Sequence, residues 1–190
     1  NHSGLAVRLH STRDVGDFGR DPLDVAIRAC EDPNPTLIGH RLVRADFSPM
    51  VSPALEARIG RPLHEPADLL HYPLIDPTDP WWNDWFRHAG VERAGFEVDN
   101  GHKMGGQDLE AVAALSGHGV AILTPFFYGD DLAAERLRQP FDIVCPSERS
   151  YWLCYPPSRR NVPKVRLFRD WLLGHFPDAG HGLPRSGAIG

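Results

Sequence analysis

The chain has 190 residues, enough for one large domain or two small ones, and 42% of them are hydrophobic, the ordinary share for a protein with a real core. A formal net charge of −5 argues against a grip on a phosphate backbone, which needs clustered Lys and Arg, and no apolar run approaches the roughly 18–20 residues of a membrane-spanning helix. Three cysteines, Cys30, Cys145 and Cys154, stand at no metal-like spacing and suit a reducing cytoplasm better than a disulfide framework.

"NHSGLAVRLH" opens the chain without the basic-then-apolar pattern of a secretory signal. Within it Leu5, Val7 and Leu9 alternate with polar residues, which predicts a strand over 5–10 with one buried face. After a turn-rich loop, "LDVAI" (23–27) is a nearly continuous apolar run suited to a parallel strand covered on both faces. The stretch 37–52 reads as a strand, a break at "FSP", and a second strand, because Pro49 is incompatible with an ordinary central strand throughout. Ser52 and Pro53 then signal a helix start, and Pro66 another.

"PWWNDWFRHAG" predicts a helix with an aromatic face, stopped at Gly90, and "GFEV" (95–98) a strand. Leu109, Val112, Ala113 and Leu115 predict a helix with one apolar side, ended at Gly117 and followed by a buried strand over 119–123. "DDLAAERL" is a short helix and "SYWLCYP" a strand. In "PKVRLFRDWLLGHF", Val165, Phe168, Leu172 and Phe176 recur at helical spacing after Pro163. Residues 178–190 have no periodicity and read as a tail. Strands alternating with helices predict an α/β protein with mostly parallel sheets.

"DPLDVAIRAC", "LIGHRLVRADFSPMVSPAL", "PADLLHYPLI", "WNDWFRHAGV", "DLEAVAALSGHGVAIL", "SYWLCYPP" and "KVRLFRDWLLGHF", in that order, resemble the effector-binding domain of LysR-type transcriptional regulators. The subgroup they resemble is the one related to the glycine-cleavage activator, and the likeness covers roughly 1–176. It implies a periplasmic-binding-protein type II-like fold: two α/β subdomains joined by two crossing strands, near Phe47 to Met50 and near Trp152 to Tyr155. Subdomain I would be 1–49 plus 154–177, subdomain II 50–153, and 178–190 the tail. The resemblance starts late, so subdomain I would lack its first strand and helix, leaving an apolar slot between the strands at 5–10 and 23–27. The winged helix-turn-helix that binds DNA in these regulators has no counterpart here. DNA would be reached only through such a missing N-terminal domain.

Ligands of open α/β sheets lie beyond the carboxyl ends of strands. Arg28, just past the strand at 23–27, therefore becomes a candidate for an anionic or polar-acid effector, the alternative being an ion pair with Asp24 or Glu31. "NGHKMGGQD" supplies Gly101, Met104, Gly105 and Gly106 ahead of a helix start, where backbone amides are available to an anion. Ser48 at the crossing and Thr124 after the strand at 119–123 complete the candidate effector set. Trp81, Trp82, Trp85 and Phe86 are read as core rather than as a ligand wall. Cys30, close to Arg28, is read as an inert thiol, a lowered pKa being the alternative.

No metal pairing, cofactor motif, nucleophile elbow or P-loop is found, so no catalytic residue, metal or cofactor is assigned. The expectation is a cytoplasmic effector-sensing domain with a small-molecule ligand, working as a homodimer or tetramer. A periplasmic solute-binding protein of the same fold is the main rival. An enzyme using the cleft is a second, and it would need an acid–base pair that the sequence does not offer.

Overall fold

The computed structural model describes residues 6–10, 18–19, 23–92, 104 and 106–176. Contacts divide the chain into two compact units, Asp46–Pro146 and the pair of segments Asn1–Ala45 and Ser147–Gly190.

In the discontinuous unit, β1 (Ala26–Cys30), β2 (Ile38–Arg44) and β5 (Ser150–Tyr155) form a sheet in the order β1-β5-β2. Both outer strands run antiparallel to β5, with Ile27 opposite Leu153 and His40 opposite Leu153 on the other side. The mainly parallel pairing expected from alternating strands and helices is thus not what these residues make. β1 and β2 do run the same way, but β5 returns from a distant part of the sequence and inserts between them. Local alternation carries no signal of that return.

Helix α5 (Pro163–Leu173) has Pro at its first turn, where a missing N–H costs nothing. Val165 and Leu172 are buried by it against Leu42, Leu153 and Tyr155, with Phe168 and Phe176 packed at the edge. That is the apolar stripe expected from the spacing.

Two boundaries differ from the sequence reading. The strand expected at 23–27 lies three residues later, so Arg28 is at its centre rather than past its end. Residues 6–10 carry the alternating pattern but form no strand, and Val7 and Leu9 are 64% and 89% exposed. Alternation yields a strand only where another edge pairs with it. Among the described residues, none pairs with 6–10. Between that stretch and the α5 side of the unit lies a cavity of about 440 Å³, lined by Ala6, Val7, Leu23, Val25, Val165 and Phe168 among others.

The continuous unit is built on β3 (Ser48–Met50) and β4 (Ala121–Leu123), paired antiparallel with Ser48 opposite Leu123. Alternating residues of this short ribbon feed two cores. Phe47, Val51 and Ile122 meet α2 (Pro80–His88) and α1 (Pro53–Ile59), while Met50, Ala121 and Leu123 meet α3 (Gln107–Leu115), and the short helix α4 (Gly129–Ala133) follows β4. Phe47 and Val51 send their N–H groups away from β4, to Cys145 and Arg138. Pro49, midway between them, would send one the same way and has none to send. This allows a proline inside a paired strand.

The α2 aromatic face is core, as its spacing suggested. Trp82, Trp85 and Phe86 are fully buried, and Trp81 stacks on Phe47 at 4.4 Å. Their indole N–H groups are satisfied: Trp82 donates to the Ile75 carbonyl and Trp85 to that of Ile143, both at 3.1 Å. The Asp79 carboxylate accepts from the Trp81 N–H at the helix start.

Helix α3 packs in an unexpected way. Ala111, Ala113, Ala114 and Glu110 are buried, whereas Leu109 and Val112 are 53% and 58% exposed. Two of its larger apolar side chains are thus turned outward, while Leu115 packs against the core. Gly117, at φ 75°, ends the helix in the left-handed conformation that favours glycine. The expected strand at 95–98 lies outside the described residues.

Candidate effector site

In the continuous unit three chain segments converge: the end of β4, the start of α3 and the start of β3. Thr124, directly after β4, is 1% exposed. Its N–H donates to the Gln107 side-chain carbonyl at 2.9 Å, and its hydroxyl lies 3.4 Å from the Gln107 amide nitrogen, which donates to it. The Tyr128 hydroxyl donates to the Gln107 backbone carbonyl at 2.9 Å. Gly106 precedes α3 in extended backbone, and Met104 packs against the core beneath the helix. Ser48 is fully buried and its hydroxyl donates to the Ile143 carbonyl at 2.9 Å, an acceptor it shares with Trp85.

Of the expected effector set, then, the structure gathers Ser48, Met104, Gly106 and Thr124 in one unit. Gly101 and Gly105 lie outside the described residues. The hydroxyls of Ser48 and Thr124 already have protein partners. Neither Gln107 nor Tyr128 carries a local sequence signal for this role. A glutamine opening a helix is unremarkable until its partner, 17 residues away, is known.

Arg28 belongs to the other unit. It stands opposite Trp152, which has Arg41 across its other side, so the three form one row across β1, β5 and β2. The Arg28 guanidinium carbon is 5.5 Å from the centroid of the Phe18 ring, a cation–π arrangement. Asp24, one of the acids weighed as its ion-pair partner, is engaged by Arg159 and by Lys164, the latter at 2.6 Å.

Burial raises the Cys30 thiol above its ordinary value and outweighs the opposing pull of Arg149 and Arg28. The alternative of an activated Cys30 is corrected accordingly: the arginines are near, but desolvation of the thiolate dominates. Cys154, more deeply buried, is pushed up to about 11. Among the described residues, no group of three His, Cys, Asp or Glu side chains is placed to hold a metal ion, and no helix is long and apolar enough to cross a membrane.

Residues 1–177 match the model of the LysR substrate binding domain. Over 174 residues the chain is 30% identical to the HTH-type transcriptional activator AmpR of Citrobacter koseri, covering 90% of this chain and 58% of that protein. It is 28% identical over 173 residues to the glycine cleavage system transcriptional activator of Escherichia coli K12, covering 90% and 56%. The chain therefore spans a little over half the length of these relatives. The effector domain of AmpR of Pseudomonas aeruginosa superposes with a TM-score of 0.72 at 28% identity, over 93% of this chain and 83% of that one. The AmpR effector-binding domain of Citrobacter freundii gives 0.70 at 28% identity, over 85% and 78%. These relatives are transcriptional regulators, which does not favour a periplasmic solute-binding protein. On this match the chain belongs to the LysR substrate-binding domain family.

Proposed function

We propose that the chain is the sensory part of a cytoplasmic LysR-type regulator, without enzymatic activity of its own. It binds a small anionic or polar-acid effector and thereby changes how a DNA-binding segment meets its operator. The observation that carries this reading is the likeness to AmpR effector domains along nearly the whole chain. Arg28 is the candidate for a charge-assisted contact with the effector, the backbone amides of Gly105 and Gly106 are the candidate donors, and Gly101, Met104, Ser48 and Thr124 are the remaining candidates. The ligand acts only in so far as it binds one arrangement of units or subunits better than another. The working form is a homodimer or tetramer, and DNA is contacted by a domain beyond this acidic chain.

The test begins with a thermal-shift screen of small carboxylates on the purified chain, followed by calorimetry of the best stabiliser on wild type and Arg28→Ala. A charge-assisted hydrogen bond is worth about 1.5–3 kcal/mol, so Arg28→Ala is expected to weaken binding roughly ten- to a hundred-fold with an unchanged circular-dichroism spectrum. Arg28→Lys recovers only part of that loss, lacking the planar fork. Unchanged affinity in folded Arg28→Ala would remove Arg28 from the site. A screen in which no carboxylate stabilises the chain would remove the anion.

A further inference from the structure

We propose that Gln107 is a positioning residue that locks the start of α3 to the end of β4, and through β4 to the strand by which the chain enters this unit. It rests on the reading that the loop preceding α3 takes the effector, and it names the side chain that carries a change in that loop to the crossing.

Three contacts make the lock. The Gln107 carboxamide presents an acceptor and a donor to one residue: Oε1 takes the Thr124 N–H at 2.9 Å, and Nε2 reaches the Thr124 hydroxyl at 3.4 Å. The Tyr128 hydroxyl donates to the Gln107 backbone carbonyl at 2.9 Å. Thr124 is 1% exposed, so its amide has no ready exchange with water. If the carboxamide were removed, that N–H would be left buried without this partner.

The path onward is short. Leu123 precedes Thr124 and pairs with Ser48, the first residue of β3, and both are fully buried. Ser48 in turn donates to the Ile143 carbonyl, and the unit itself begins at Asp46. A displacement of the α3 start is therefore passed by hydrogen bonds and strand pairing to a residue two positions from the boundary of the unit. The contiguous contacts run through one side chain that neither periodicity nor motif marks.

Amide hydrogen exchange on the unliganded 190-residue chain tests the lock. In Gln107→Leu, exchange of the Thr124 amide is expected to accelerate roughly ten-fold, with a smaller acceleration in 48–50 and 121–123 and none in α2 at 80–88. Gln107→Glu keeps an acceptor for the Thr124 N–H, and the threonine hydroxyl can turn to donate to its second oxygen. Near pH 7 it is expected to bring Thr124 exchange back to within about three-fold of wild type. Wild-type exchange at Thr124 in Gln107→Leu would overturn the lock. So would an equal acceleration in α2, which would make Gln107 a general stabiliser, or a failure of the Glu variant to restore protection. Because no ligand is present, these outcomes are independent of the calorimetric test of the effector site.

Discussion

Helices α5 and α3 are of similar length and both carry apolar residues at helical spacing, yet they pack in opposite ways. α5 turns Val165 and Leu172 into the core of its unit. α3 turns alanines and Glu110 inward and leaves Leu109 and Val112 outside. The difference lies in what each faces. α5 lies on a three-stranded sheet whose side chains leave room for branched residues. α3 lies on the β3–β4 ribbon, where Met50, Ala121 and Leu123 pack against its alanines, and close contact there favours small residues at 111, 113 and 114. In α3 the apolar residues occur on both sides, so periodicity marks the helix without marking its buried face.

The comparison is sharpest at Leu172. Truncating it to Ala removes a buried branched side chain and leaves a cavity, an expected loss of about 2–5 kcal/mol in urea unfolding. Thiol labelling assigns the effect to a unit. Cys154 lies in the same unit as α5, Cys145 in the other, and burial raises both thiols. With Cys154 at about 11 against an ordinary 9.0, its thiolate at pH 8 is about a hundred-fold scarcer in the folded chain than after opening. Leu172→Ala is expected to speed labelling of Cys154 and leave Cys145 near its wild-type rate. Equal acceleration of both would mean that the two units open together.

The converse change is Ala114→Leu. Ala114 is fully buried beneath α3, and forcing three more carbons into that contact is expected to cost about 1–3 kcal/mol. Here Cys145 should label faster while Cys154 does not. A neutral Ala114→Leu would mean that α3 has room beneath it, and the close-packing account of its inverted face would fail.

The two helices also show how far the sequence could be read. The α5 stripe, the aromatic core of α2 and the glycine stop after α3 were all legible, because each depends on neighbours within a turn or two, whereas the break expected at "FSP" falls at Ala45–Asp46 and Pro49 lies inside β3. What was not legible depends on partners far along the chain. β1 begins three residues later than its apolar run because its pairing with β5, more than a hundred residues on, decides where the ladder starts. Residues 6–10 have a strand's pattern and, among the described residues, no strand to join. At the candidate site, glycines ahead of a helix and a polar residue after a strand could be read locally. Gln107 and Tyr128 could not, since their roles exist only once β4 has brought Thr124 to them.

The smallest expected effect is on the outer face of α3. Leu109→Gln and Val112→Gln replace side chains that are more than half exposed, and glutamine is at least as good a helix former as either. Surface changes of this kind are generally worth within about 0.5 kcal/mol, so each variant should unfold at the wild-type urea midpoint to that precision. The same exchange on α5 provides the control. Leu167→Gln, at a position 49% exposed, should also be close to neutral, in contrast to Leu172→Ala on the buried side of the same helix. A loss of 2 kcal/mol or more in Leu109→Gln, with faster labelling of Cys145, would mean that the outward face of α3 is covered in solution and that the helix is packed on both sides. Its large apolar residues would then be core residues after all, and α3 would differ from α5 in having two buried faces rather than an inverted one.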